Sequence, residues 1–257
     1  MQRRSGALLG AALFCGGCGK ADDAGTKPGS APGSAPAARE ESTTSARVEA
    51  TPPGGDSALV TPDRTGAPRV LFLGTSLTAG LGLESPETES YPAVLQRMAD
   101  SAGVRARIVN AGLSGETSAG ALRRADWLLR ERADVVVIET GANDGLRGLN
   151  ADSTAANLRA LIGKIRAASP KARILLVQME APTNLGAEYT RRFHAIFPAT
   201  AASEKVVLLP FLLEGVAGIP RLNQPDGIHP TADGARRAAR NVWSPLARAI
   251  VGRAGPE

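Results

Sequence analysis

The sequence predicts an α/β fold, a three-layer αβα sandwich built on a five-stranded parallel sheet. Two observations carry this prediction. Five short apolar runs alternate along the chain with longer segments in which apolar residues recur every three or four positions. The runs are continuously apolar instead of alternating with polar residues, which is typical of parallel strands that helices cover on both faces.

The strand predictions depend on short runs of branched aliphatic residues. The strongest run is Val135-Val136-Val137-Ile138, within a strand predicted over 134–140. Ligands bind parallel sheets at the carboxyl ends of the strands, so functional residues are expected just after each run. In chain order the strands are predicted over 70–73, 105–109, 134–140, 174–177 and 206–209.

The helix predictions depend on apolar residues that share one helical face. In chain order the helices are predicted over 92–102, 118–130, 152–168, 187–203 and 232–251. The inward positions of the first three are Val94, Leu95 and Met98; Leu122, Ala125, Leu128 and Leu129; and Leu158, Leu161, Ile162 and Ile165.

The first 68 residues lack this pattern. Arg3 and Arg4 precede an apolar stretch that is too short to span a bilayer, which predicts an export signal over residues 1–18. Residues 19–68 are rich in Ala, Gly, Ser and Pro and are expected to form a disordered tether. Residues 69–254 then form one folded domain.

Composition argues against several function classes. Both cysteines, Cys15 and Cys18, precede the folded domain, which therefore has no disulfide, thiol nucleophile or cysteine zinc site. No His-Glu-x-x-His run occurs and zinc ligands are few, so no metal or cofactor is expected. The net charge is +5, but only 4% of residues are aromatic and the arginines are spaced along helical faces, which argues against nucleic-acid binding.

A general base is suggested by the run Asp226-Gly227-Ile228-His229-Pro230. An aspartate three residues before an imidazole can accept a hydrogen bond from one ring nitrogen and leave the other free to take a proton. The alternative for His229 is a plain residue at the entry to the last helix. His194, the other histidine of the chain, lies inside a predicted helix and is expected to be structural.

A candidate nucleophile follows the first predicted strand. Ser76 lies on the turn from that strand into a helix, which would place its hydroxyl at the rim of the sheet. Its own N–H would then be able to stabilise a developing oxyanion. Two alternatives are a simple helix cap and a phosphate-binding loop, although the Gly-Lys-Ser/Thr ending of such a loop is absent.

Two further loops contain candidate oxyanion donors. After the second strand, Gly112 and Gly115 allow backbone amides to approach a ligand closely, although Ser114 and Thr117 also read as plain helix caps. After the third strand, Asn143 has an amide that can donate to an oxyanion, or it serves as a turn residue.

The order Ser76, glycine, Asn143 and His229 along the chain resembles the SGNH hydrolases, also called the GDSL esterase/lipase family. The similarity is closest to the thioesterase I, lysophospholipase L1 and arylesterase branch. It implies a flavodoxin-like fold from Arg69 to about Leu246. The segments that carry it are 141–148, 209–212 and 226–230.

The resemblance implies a role for each matching residue. Ser76 would be the nucleophile, His229 the base and Asp226 the carboxylate that orients the base. The oxyanion hole would consist of the backbone N–H groups of Ser76 and Gly115 and the side chain of Asn143.

Two positions of the match need comment, the family glycine and the residue before Ser76. Gly115 fits the family glycine better than Gly112, because the family has a Ser-Gly-acid-Thr-Ser stretch that matches residues 114–118. The family's Gly-Asp-Ser-Leu has threonine for aspartate here, at Thr75. That change puts the hydrogen bonds around the nucleophile in question, although the threonine hydroxyl can still donate and accept.

The resemblance also implies an acyl groove between the loops 144–149 and 180–186. Leu146, Leu149 and Leu185 are the expected acyl-contacting residues, and each is equally able to anchor its loop. The expected substrates are short- to medium-chain acyl esters, aryl esters or lysophospholipids, with thioesterase activity incidental. A carbohydrate O-acetylesterase and a non-catalytic binding module on the same fold are the alternatives.

The location of the protein is predicted from the segment around Cys18. An apolar run, two small residues and then Cys18 resemble a bacterial lipoprotein signal, in which that cysteine is acylated and anchors the chain to a membrane. Cys15 stands where the pattern prefers leucine, so a soluble periplasmic or secreted enzyme is the alternative. We expect a monomer that acts on a small acyl ester.

Overall fold

The computed structural model describes residues 64–252. The predicted signal over 1–18 with Cys18, and the predicted tether up to residue 63, lie outside these residues. Within 64–252, no helix combines the length and the apolar character that crossing a bilayer requires.

The sheet has five strands, all parallel, in the order β2-β1-β3-β4-β5. This confirms the predicted α/β class and is the flavodoxin-like order. The chain leaves β1 toward one edge of the sheet and returns to the other side of β1 through β3, so a crevice opens at their carboxyl ends. The strands are β1 Arg69–Gly74, β2 Arg107–Gly112, β3 Val135–Ile138, β4 Arg173–Val177 and β5 Val207–Leu209.

Eight α-helices occur in residues 64–252, and the predicted ones match them closely. The helices predicted over 187–203 and 232–251 have the predicted bounds, because apolar residues recur at helical spacing along their whole length. The helices are α1 Ser76–Ala79, α2 Pro86–Glu89, α3 Tyr91–Ser101, α4 Ser118–Leu128, α5 Ala142–Leu146, α6 Ala151–Ala168, α7 Ala187–Ser203 and α8 Ala232–Val251.

The sequence missed the short elements. Helices α1, α2 and α5 have four or five residues each, which is too short to show a helical period. Two 3-10 turns, Thr183–Leu185 and Pro220–Leu222, were missed for the same reason. The third strand was predicted too long, because it ends at Ile138 and Glu139 lies outside it.

The core lies on both faces of the sheet. Every residue of β1 and β3 is buried, so neither face of the central strands is open to solvent. The helices pack in two groups, α3 against α8 and α6 against both α4 and α7. Two covered faces and an intervening sheet make the three-layer sandwich and leave the strand ends as the place for a site.

Leu71, at the middle of β1, should be a principal contributor to stability. Its side chain is 0% exposed, and truncating such a residue leaves a cavity as well as losing buried area, so Leu71→Ala should lower the free energy of unfolding by about 2–5 kcal/mol. Leu208→Ala in β5 is the matched control, because Leu208 is 38% exposed and should cost about 1 kcal/mol or less. Urea unfolding of both variants measures the difference, and equal costs would contradict this account of the core.

Candidate active site

Ser76 is the first residue of α1, immediately after β1. Thr75 lies between strand and helix in an extended conformation as the N-cap. The Ser76 side chain is buried at the rim of the sheet. Its backbone N–H lies in the first helical turn, where no earlier carbonyl can accept it, and it has no acceptor among residues 64–252.

The histidine of the Asp226–Pro230 loop contacts this serine. His229 Nε2 lies 2.9 Å from Ser76 Oγ. On the other side of the ring, His229 Nδ1 lies 2.6 Å from Asp226 Oδ2. Three residues named from the sequence are thus hydrogen-bonded in series, although 153 positions separate Ser76 from His229.

The loop that carries the histidine is held at both ends. Gln224 N–H donates to the His229 carbonyl at 2.8 Å, next to an isolated bridge between Asn223 and Pro230. The Gln224 side-chain amide donates at 2.8 Å to the carbonyls of both Leu81 and Pro230. Because Leu81 follows α1, these bonds tie the histidine loop to the segment that carries Ser76.

Asp226 has three donors. Its Oδ1 accepts the N–H groups of Ile228 at 2.9 Å and His229 at 3.0 Å, while Oδ2 faces the ring nitrogen. The His229 side chain, followed by the two backbone N–H groups, lowers the pKa of Asp226 from 3.8 to about 2. A carboxylate in this place fixes the tautomer with a proton on Nδ1 and leaves Nε2 as the acceptor.

The loop after β2 offers a second backbone donor. Gly115 has a φ of +76°, in the region that favours glycine, and its N–H has no acceptor among residues 64–252. The Gly112 N–H, in contrast, donates to Asn110 Oδ1 at 2.9 Å and is not available to a ligand. Thr117 caps α4, as its side chain accepts from Gly120 N–H.

Asn143 lies in α5, which follows β3. Its Nδ2 donates to the Glu116 carbonyl at 3.0 Å, which turns the amide toward the loop that contains Gly115. An amide nitrogen has two hydrogens, so one remains for a ligand. Ser76, Gly115 and Asn143 therefore lie on three segments that each follow a strand, and each residue has a donor without an acceptor among residues 64–252.

An ion pair that the sequence did not reveal supports the Gly115 loop. Glu116 is buried and forms a two-pronged pair with Arg124, with Nε distances of 2.7 and 2.8 Å. Arg124 Nη2 also donates to the carbonyls of Gly74 at 3.1 Å and Ala111 at 2.8 Å. One guanidinium thus joins the ends of β1 and β2 to the loop between β2 and α4.

Asp144, next to Asn143, is a second buried anchor. Its carboxylate accepts Ser118 N–H at 2.8 Å and Ser118 Oγ at 2.5 Å. It also accepts Thr154 Oγ1 at 3.1 Å from α6. These bonds fix the helix that carries Asn143 against the starts of α4 and α6.

The three leucines expected to contact an acyl chain lie on two touching loops. Leu146, Leu149 and Leu185 are 43%, 40% and 37% exposed, so each presents apolar surface to solvent. Gly148 faces the Leu185 side chain, since a Cβ at Gly148 would lie 3.7 Å from Leu185 Cδ2. Tyr189 of α7 donates its hydroxyl to the Leu149 carbonyl at 2.7 Å, which joins the loops.

His194 lies apart from this arrangement. It is a surface residue of α7 whose Nδ1 lies 2.7 Å from Glu180 Oε1, and no serine within residues 64–252 is bonded to its ring. Gln178 donates to the His194 carbonyl at 3.2 Å. These contacts agree with the structural role expected from the sequence.

No group of three or more His, Cys, Asp or Glu side chains placed to hold a metal ion occurs within residues 64–252. A groove of about 640 Å³ lies elsewhere, at the amino ends of β4 and β5, where Arg173, Lys205 and Arg248 line it. Its lining has no serine, histidine or carboxylate, so the serine–histidine contact remains the candidate centre.

Comparison with known proteins agrees with the geometry. A family model described as GDSL-like Lipase/Acylhydrolase family matches residues 72–237. Esterase TesA of Pseudomonas aeruginosa is 41% identical over 181 residues, which cover 70% of this chain and 88% of that protein. Thioesterase 1/protease 1/lysophospholipase L1 of Escherichia coli K12 is 39% identical over 168 residues, 65% of this chain and 77% of that one.

A solved structure of a relative has the same fold. The psychrotrophic esterase EstA from Pseudoalteromonas sp., in a structure described as inhibited by monoethylphosphonate, aligns with a TM-score of 0.66 at 34% identity. The alignment covers 70% of this chain and 97% of that one. Because the family model spans more than half of the chain, the protein belongs to the GDSL-like lipase/acylhydrolase family and is a carboxylic ester hydrolase.

Proposed function

We propose that the protein is a serine esterase that hydrolyses short- to medium-chain acyl, aryl or lysophospholipid esters through an acyl-enzyme. The observation that carries the proposal is the hydrogen-bonded series Ser76 Oγ to His229 Nε2 at 2.9 Å and His229 Nδ1 to Asp226 Oδ2 at 2.6 Å. Nucleophile, base and orienting carboxylate at these distances are the arrangement that acyl transfer by serine requires.

In the first half-reaction, Ser76 Oγ attacks the ester carbonyl carbon while its proton passes to His229 Nε2. The imidazolium that forms is stabilised by the Asp226 carboxylate, which keeps its charge because its pKa is about 2. The tetrahedral intermediate collapses as the carbon–oxygen bond to the leaving group breaks. His229 returns the proton to the departing alkoxide, and the acyl group stays on Ser76.

The negative charge of the intermediate needs donors that are already in place. The N–H groups of Ser76 and Gly115 have no other acceptor among the described residues, and Asn143 has one amide hydrogen to spare. Preorganised donors of this kind are typically worth about 2.7–4 kcal/mol each to the transition state.

In the second half-reaction, water replaces the alcohol. His229 takes a proton from the water, which attacks the acyl carbon, and then returns the proton to Ser76 Oγ as the acid leaves. Both half-reactions use the same three side chains.

The substrate class is supported by the relatives and by the exposed leucines. The relatives are named esterase, thioesterase and lysophospholipase. Leu146, Leu149 and Leu185 present apolar surface on two joined loops, which suits an acyl chain better than a sugar.

Ser76→Ala should abolish hydrolysis of p-nitrophenyl acetate, because the nucleophile and its proton are lost together. A fluorophosphonate probe should label the unmodified protein at Ser76 and fail to label this variant, as read by mass spectrometry of the labelled peptide. His194→Ala is the matched control and should keep nearly full activity, since His194 contacts Glu180 and no serine. Retained turnover in Ser76→Ala would refute the proposal.

His229→Ala should raise the pKa of Asp226 from about 2 toward 3.8, because the His229 side chain is the largest cause of the lowered value. NMR titration of the Asp226 carboxyl carbon measures this, with His194→Ala as the variant that leaves the titration unchanged. The effect on stability follows from the same values, because the pKa of Asp226 is lower in the folded protein than in the unfolded chain. Ionised Asp226 therefore stabilises the folded protein above pH 3.8, and this contribution disappears as the pH falls through about 2. A midpoint of 3.8 in the unmodified protein would contradict the pairing.

Replacing Leu146, Leu149 and Leu185 together by Ala should lower kcat/KM for p-nitrophenyl octanoate by about 10-fold or more relative to the acetate ester, because the longer chain loses apolar contacts. Leu208→Ala, a leucine of similar exposure in β5, is the control. Equal loss on both esters would place the acyl chain elsewhere, and a preference for acetylated sugars would favour an O-acetylesterase.

A further inference from the structure

A buried carboxylate is hydrogen-bonded to the turn that carries Ser76. Glu139 is the first residue after β3 and is 0% exposed. Its Oε2 accepts Thr75 N–H at 2.9 Å, Thr78 N–H at 3.3 Å and Thr78 Oγ1 at 2.7 Å. Its Oε1 accepts Thr75 Oγ1 at 2.9 Å. Thr75 is the residue before Ser76 and Thr78 is two residues after it, so the carboxylate is hydrogen-bonded to the turn on both sides of Ser76.

The turn needs this support. Helix α1 has four residues, and a single helical turn is unstable by itself because its first hydrogen bond fixes several residues at once. Glu139 satisfies two N–H groups at the start of α1 and leaves the Ser76 N–H, which lies between them, without an acceptor.

We propose that Glu139 is a positioning residue for the nucleophile. Its carboxylate holds α1 so that Ser76 Oγ stays within hydrogen-bond distance of His229 and the Ser76 N–H stays free for the oxyanion. The inference rests on the proposed esterase function, and it adds a residue outside the Ser–His–Asp series on which the rate depends.

The residues around Glu139 are consistent with this role. The Tyr91 hydroxyl lies 2.8 Å from Thr78 Oγ1, so it donates to Thr78, whose own proton is directed at Glu139. Gly74 makes room for the contact, since a Cβ there would lie 1.9 Å from Thr78 Oγ1 and 2.9 Å from Glu139 Oε2. Thr75, where the family pattern has aspartate, gives the carboxylate a hydroxyl donor and not a second negative charge.

A packing role alone does not explain a carboxylate here. No Arg, Lys or His within residues 64–252 forms an ion pair with Glu139, so amide and hydroxyl donors alone compensate its burial. Burial raises the pKa of Glu139, and the donors from Thr75 and Thr78 oppose that rise. An apolar side chain would fill the same space but would leave the N–H groups of Thr75 and Thr78 without an acceptor, which points to a need for the acceptor geometry.

The experiment compares charge-neutral, nearly isosteric variants at the two ends of β3. In Glu139→Gln, an amide nitrogen at the Oε2 position would face two backbone N–H groups, and at the Oε1 position it would force the Thr75 hydroxyl to turn. Either way the carboxylate charge is lost, and a neutral amide oxygen holds the donors of Thr75 and Thr78 less strongly. We therefore expect kcat for p-nitrophenyl acetate to fall by about 10- to 100-fold while KM changes less than about threefold. The rate of fluorophosphonate labelling should fall with kcat.

Asp134→Asn is the matched control. Asp134 precedes β3 and accepts Arg69 N–H at 2.8 Å. The substitution therefore also neutralises a carboxylate that bonds a backbone amide of β1, but at the end of the sheet away from Ser76. We expect kcat and labelling to stay within about twofold of the unmodified protein.

A second pair of variants tests the proposal if Glu139→Gln does not fold. Thr78→Val removes one donor to Glu139 and should lower kcat. Thr200→Val removes a buried hydroxyl that has no partner in the described residues and should leave kcat unchanged.

The outcomes separate the two proposals. Failure of the unmodified protein to label at Ser76 would refute the esterase mechanism before any variant is compared. If the unmodified protein is labelled at Ser76, an unchanged kcat in a folded Glu139→Gln variant would overturn the positioning role. If Glu139→Gln does not fold, an unchanged kcat in Thr78→Val would overturn it instead. An equal fall of kcat in Asp134→Asn would also overturn it, because general destabilisation would then explain the loss.

Discussion

Parallel pairing of β1 with β3 is the constraint on which the site depends. The register sets Leu73 opposite Ile138, so the chain leaves both strands at the same level of the rim. Thr75 and Glu139 then meet, and the carboxylate bonds the backbone just before Ser76. A shift of this register would separate them while leaving both strands apolar, so the buried polar contact also specifies the pairing.

The rest of the rim follows the same rule. Beyond the strand ends the backbone loses its ladder partners, and buried N–H and C=O groups need others. Arg124 binds the carbonyls at the ends of β1 and β2, and Asp144 binds the first N–H of α4. Each segment that contributes a proposed oxyanion donor is therefore joined to a neighbouring segment by a charged side chain, which is how separate segments keep a common geometry.

The sequence predicted most of the architecture and the histidine loop but not the supporting layer. Helices over 187–203 and 232–251 were predicted to the residue because long amphipathic faces need no tertiary information. Glu139 falls inside the strand predicted over 134–140, since it follows four apolar residues and its partner Thr75 is 64 positions away. A contact between residues so far apart leaves no periodic signal in one sequence. The pair of Glu116 with Arg124 is nearer along the chain, but it joins a loop to a helix and has no periodic signal either.

The site thus divides into two parts that differ in burial. Ser76 and the residues that hold its turn are buried, so a substitution there must leave every buried hydrogen-bond donor and acceptor with a partner. Thr75 satisfies that condition, because its hydroxyl donates to a carboxylate that is already present, whereas a second carboxylate there would require a shared proton. Leu146, Leu149 and Leu185 lie on exposed loops where apolar contacts tolerate substitution. Substitutions at these proposed acyl-contacting leucines would therefore leave the groups that hold Ser76 undisturbed.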